Sequence, residues 1–73
     1  MPHEHFSPSH FKTLREKAGV SRMAVAYVAN RTEQSVWLWE RGKVTPRVET
    51  LERVAPLLGV SVGDFFVEDG ARV

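Results

Sequence analysis

The side chains able to do chemistry in this sequence are unevenly spread. Between positions 12 and 47 eight basic residues, Lys12, Arg15, Lys17, Arg22, Arg31, Arg41, Lys43 and Arg47, stand against three acids, Glu16, Glu33 and Glu40. The rest of the chain carries six acids against Arg53 and Arg72. The formal net charge of +1 hides this division. A positive face toward an anionic partner and a negative end away from it are what the layout predicts. Inside the basic region lies "NRTEQSVWLWERGK", Asn30 to Lys43, where two tryptophans and a leucine interrupt a polar segment. Trp37 and Trp39 are two residues apart, so on a helix they cannot share a face.

Other chemistries find little support. Three imidazoles, His3, His5 and His10, flank Glu4, but a frayed terminus does not fix coordination geometry, so no metal is expected. The absence of cysteine excludes disulfides and thiolate ligands and suits a reducing compartment. No phosphate-cradling glycine motif or nucleophile elbow is present, and no cofactor or enzymatic activity is expected. No apolar run approaches the roughly 18 residues of a membrane span, and the first ten residues lack signal-peptide character. A soluble cytoplasmic protein with no membrane contact is therefore expected. At 73 residues the chain suffices for one small domain, which buries only about 60% of its unfolded surface.

The elements that must hold these residues are marked by caps. Ser7-Pro8 starts a helix with Phe11, Leu14 and Ala18 on one face, ending at Gly19. Ser21 caps a second, with Met23, Val25, Ala26, Val28 and Ala29 as its apolar stripe and Asn30 as a left-handed stop. Thr32 caps a third whose inward positions are Val36, Trp39 and Glu40 and which Gly42 ends. Thr45-Pro46 opens a fourth, with Val48, Leu51, Val54, Ala55 and Leu58 inward, up to Gly59. Pro56 should kink that helix or end it early. Ser61 to Asp64 has the form of a capping box before Phe65, Phe66 and Val67. The result is an all-α, compact five-helix bundle over residues 7–69, with a flexible tail at 1–6 and a loose end at 70–73.

Helices two and three, joined at Asn30-Arg31 with small Ala26 at their contact, have the form of a helix-turn-helix, in which the second helix enters the major groove of DNA. The string "LREKAGVSRMAVAYVANRTEQSVWLWERGKVTP" resembles the lambda repressor and Cro-like helix-turn-helix family, the XRE family, and "LGVSVGDFF" resembles its fifth-helix ending. The resemblance covers Phe11 to Phe66 without a gap between Gly19 and Gly42, and it implies a lambda-repressor-like DNA-binding fold. It also implies a structural ion pair between Arg15 and Glu40.

At the family's base-reading positions stand Glu33, Gln34 and Leu38, with Thr32 and Ser35 set for phosphate or backbone contacts. Arg22 replaces the glutamine that usually opens helix two and grips a phosphate. Arg31, Arg41, Lys43 and Arg47 complete the expected DNA-binding set together with Trp37, which could pack on a sugar-phosphate edge, a second subunit or helix four. Base chemistry fits: glutamine pairs with adenine, glutamate accepts from cytosine and leucine meets a thymine methyl. Glu33 has a second explanation, since acids favour the first turn of any helix.

The expected function is sequence-specific regulation of transcription, as a repressor and homodimer on double-stranded DNA with a pseudo-palindromic operator. Phe65, Phe66 and Val67 either complete the core or form a two-fold interface, and they are the candidate dimer interface. The alternative is a protein-interaction module, or an antitoxin of a toxin-antitoxin pair, whose Trp37-Leu38 surface binds a toxin or regulator.

Overall fold

The computed structural model describes residues 4–68; residues 1–3 of the expected tail, residue 69 and the expected loose end at 70–73 lie outside them. Four helices follow the caps: α1 (Pro8–Lys17), α2 (Arg22–Ala29), α3 (Glu33–Glu40) and α4 (Val48–Leu58). The side-chain oxygens of Ser7, Ser21 and Thr32 each accept a backbone N–H three residues on, at 3.0–3.2 Å, which satisfies a donor that every helix start leaves orphaned. Asn30 takes the left-handed conformation at φ 58° and ψ 45°, turning the chain sharply between α2 and α3.

Two expectations are corrected. First, the fifth helix is a single 3-10 turn, Val62–Phe65, and not an α-helix. Its start is closed as the sequence implied, with the Asp64 carboxylate accepting from the N–H and the hydroxyl of Ser61 at 3.0 and 3.2 Å. Immediately after it the chain is extended as β2 (Phe66–Glu68), antiparallel to β1 (Glu4–Phe6) with Phe6 opposite Phe66. The protein is thus mostly helical with a small two-stranded sheet, and residues 4–6, expected as the end of a flexible tail, form one of its strands. The hydrogen bond from Ser7 N–H to the Phe65 carbonyl, 2.9 Å, continues this tie between the two ends of the chain.

Second, α4 begins two residues later than Thr45-Pro46 suggested. Arg47 occupies the cap position without a side-chain hydrogen bond, and Pro46 is buried instead of opening the helix. Of the two outcomes expected at Pro56, a kink or an early end, the second does not occur, for the helix continues to Leu58 and stops at left-handed Gly59, where its end was expected. Proline deprives the Glu52 carbonyl of its helical donor, at a place where both Glu52 and Pro56 are exposed.

The core is one cluster. Phe11, Val25, Val36, Leu51, Val54 and Phe65 are fully buried, each stabilising the fold by roughly 1.5–3 kcal/mol relative to exposure. Phe11 lies at its centre, with Trp39 edge-on at 6.1 Å and Phe65 tilted at 5.3 Å. Burial of Phe65 inside its own domain removes it from the candidate dimer interface. Phe66 is half-buried and packs edge-on against Phe6 at 6.4 Å, and Val67 is half-buried beside it. α2 packs on both α3 and α4, and α1 packs on α3.

Candidate nucleic-acid interface

α3 has to be anchored on one side to be presented on the other, and its sequence supplies both. Val36 and Trp39 are 0% and 3% exposed and face the core. Glu40, the next residue, would bury a charge at great cost if it stood alone. Its side chain retains 2% of its exposure, yet two arginines reach it. Arg15 from α1 donates Nε to Oε2 at 2.6 Å and a terminal nitrogen to Oε1 at 3.3 Å, the two-pronged geometry that planar guanidinium and carboxylate favour. The other terminal nitrogen of Arg15 donates to the Val20 carbonyl at 2.9 Å. Arg22 from α2 donates Nε to Oε1 at 2.9 Å. One carboxylate therefore ties together the first three helices, and among the described residues no buried side-chain nitrogen or oxygen lacks a hydrogen-bond partner.

This arrangement revises Arg22. The resemblance assigns the start of α2 to a phosphate, but Arg22 has its Nε committed to Glu40 and about a third of its side chain exposed. A cation at a helix N-terminus opposes the macrodipole by a few tenths of a kcal/mol. Glu40 offsets that cost within the protein, without any bound anion. What remains for a phosphate is the outer edge of a guanidinium whose orientation is already fixed.

The opposite side of α3 is open. Glu33 and Gln34 are exposed in its first turn, and Trp37, 39% exposed, lies one turn further on. These three and Arg22 line one shallow cleft. The Arg41 guanidinium stands over the Trp37 ring at 4.9 Å from its centroid, a cation–π contact between residues four apart on the helix surface. Leu38, the next residue, is half-buried. The Thr32 hydroxyl caps α3 by accepting from the Ser35 N–H at 3.1 Å, and it lies 3.0 Å from the hydroxyl of Ser35, a half-buried residue.

The remaining cations fall into two places. Arg41 and Lys43 are exposed around left-handed Gly42, where α3 ends. Arg31, after the turn, and Arg47, before α4, line a second cleft with Ser35 and Thr45. The structure thus brings Arg22, Glu33, Gln34 and Trp37 together, and separately Arg31 and Arg47. Sequence reasoning missed the bond from Arg22 to Glu40 and the stacking of Arg41 on Trp37. The four-residue spacing of Trp37 and Arg41 was the available signal for the second; nothing in the spacing of Arg22 and Glu40 announces the first.

No three His, Asp or Glu side chains among the described residues converge as a metal site requires, and no helix there is long and apolar enough to cross a membrane.

Comparison with known proteins agrees with this geometry. The HTH-type transcriptional regulator PuuR of Escherichia coli (strain K12) is 29% identical over 55 residues, 75% of this chain and 30% of PuuR. The PuuR of Shigella flexneri matches to the same extent. Among solved structures, FeII HppE in complex with substrate superposes with a TM-score of 0.72 at 28% identity, covering 82% of this chain and 35% of that one. Hydroxypropylphosphonic acid epoxidase from S. wedmorenis gives the same TM-score and identity over 32% of its chain. The chain spans about a third of the length of these proteins. A helix-turn-helix domain matches residues 9–65, from α1 through the α2–α3 pair to the 3-10 turn, and the chain belongs to that family, in its XRE-like form.

Proposed function

We propose that this chain is the sequence-specific DNA-binding part of a transcriptional regulator, a repressor that pairs on a pseudo-palindromic operator in the cytoplasm. The observation that carries the reading is the two-sidedness of α3. Its inner side is fixed by Val36, Trp39 and the Glu40 carboxylate, while Glu33, Gln34 and Trp37 share an open cleft on its outer side. Kinship with HTH-type regulators supports it.

In this reading α3 lies in the major groove with its N-terminal turn against base edges. Gln34 makes paired hydrogen bonds to adenine and Glu33 accepts from the cytosine amino group. The outer edge of Arg22, with Arg31, Arg41, Lys43 and Arg47, meets phosphates and sets register without reading sequence. Two copies related by a two-fold axis would place their reading helices about 34 Å apart on one side of the duplex. Phe66 and Val67, half-buried in the monomer, are the proposed pairing surface. The domain is assigned no enzymatic role, and the chemistry of the epoxidase belongs to that protein.

Selection from a random-sequence duplex library, followed by anisotropy titration at several salt concentrations, tests the proposal. A single enriched motif is expected, and Gln34→Ala should cost about 1–3 kcal/mol on it and relax one base pair per half-site. Lys43→Ala should weaken all sequences alike and lower the salt slope by about one. A chain that enriches no motif and binds no duplex at low salt contradicts the proposal, and favours the protein-interaction or antitoxin reading instead.

A further inference from the structure

Trp37 has no assigned partner in either the core or the resemblance, and its surroundings define what it suits. It is a large apolar ring, 39% exposed, on the side of α3 that carries Glu33 and Gln34. The part of the ring left open faces a cleft whose other lining side chains, Arg22, Glu33 and Gln34, are charged or polar. Arg41 stands over the ring at 4.9 Å, which restricts its rotamers at little entropic cost. Arg22, itself held by Glu40, lines the same cleft, so the indole is bounded by one guanidinium stacked on it and another fixed beside its cleft. Leu38, which the resemblance makes the apolar reader, is half-buried.

We propose that Trp37 is a specificity-determining residue that recognises the C5-methyl group of a thymine in the major groove, a contact assigned to Leu38 by the resemblance alone. The inference rests on the DNA-binding reading above. The chemistry follows from the groove itself: thymine is the one base that presents an apolar group there, and Trp37 is the most exposed apolar side chain on α3. Two arginines flanking the indole add favourable electrostatics toward the adjoining phosphates while leaving the ring as the only apolar surface in the cleft. Gln34 and Glu33 then read neighbouring base pairs by hydrogen bonds as Trp37 reads one by contact.

The test uses the full chain and the best duplex from the random-library selection. Each thymine is replaced in turn by deoxyuridine, which removes only the methyl group. Wild type should lose about fourfold in affinity at one position per half-site, the effect of burying one methyl-sized group. Trp37→Ala should remove that dependence, and Leu38→Ala should keep it. Circular dichroism and a urea midpoint establish that each variant is folded. A wild type indifferent to every methyl group, or a dependence that survives Trp37→Ala, or one that Leu38→Ala abolishes, overturns the inference while leaving the DNA-binding reading intact. Failure of the wild type to bind any selected duplex overturns both.

Discussion

The two tryptophans of α3 stand two residues apart and live in different worlds. Trp39 is 3% exposed, edge-on to Phe11 in the centre of the core. Trp37 is 39% exposed, with only Arg41 stacked on it. The inner side of the helix is over-determined, since Val36, Trp39 and a carboxylate bound by two arginines all hold it. The outer side carries side chains whose polar groups find few partners within the protein. The contrast teaches that eight residues divide their labour by helical register: one set of positions makes α3 immovable so that the other can present a fixed surface.

Substitutions on the inner side should show the largest effects. Trp39→Ala opens a cavity in the core and should destabilise by about 3–5 kcal/mol. Glu40→Ala should cost a similar amount, about 3–5 kcal/mol, because it strands Arg15 deep between helices and leaves Arg22 without its partner. Urea unfolding measures both, and an unchanged midpoint for Glu40→Ala would mean that the carboxylate does not hold the helices together.

Arg22→Ala ranks next, at about 1 kcal/mol, because Glu40 keeps its two bonds from Arg15 and the lost partner is a third exposed. The same variant should also weaken DNA binding on all sequences alike. A stability loss as large as that of Glu40→Ala would show that Arg22 belongs wholly to the core.

The smallest stability effect is expected at Trp37. Trp37→Ala gives up a cation–π contact, about 0.5–1 kcal/mol, and the packing of the covered part of the ring, so the midpoint should move far less than for Trp39→Ala while duplex affinity falls. A large loss of stability there would erase the contrast between the two sides.

Much of this division was legible beforehand. Ser7, Ser21 and Thr32 announced three helix starts because a hydroxyl before an apolar periodicity has one well-defined use, and Asn30 announced its left-handed turn for a similarly local reason. Trp39 followed from its spacing to Val36. Apart from the start of α4, the misses are non-local. β1 and β2 are three residues each, too short for an alternating pattern to emerge, and they pair across nearly the whole chain. Phe65 could not be divided between core and dimer interface because the short 3-10 turn that places it against Phe11 depends on tertiary packing. Arg22 read as a phosphate-gripping cation because its partner Glu40 lies on another helix, and proximity of that kind is a property of the fold.

Single-tryptophan variants test the central claim most directly. Trp39→Phe leaves Trp37 as the sole tryptophan, and Trp37→Phe leaves Trp39; acrylamide quenching of each is measured free and with saturating selected duplex. Shielding of Trp37 by DNA, reversed by added salt, with Trp39 equally protected in both states, is the expected result. A Trp37 as open to the quencher in the complex as in the free protein would contradict the assignment of the outer side of α3 to the groove.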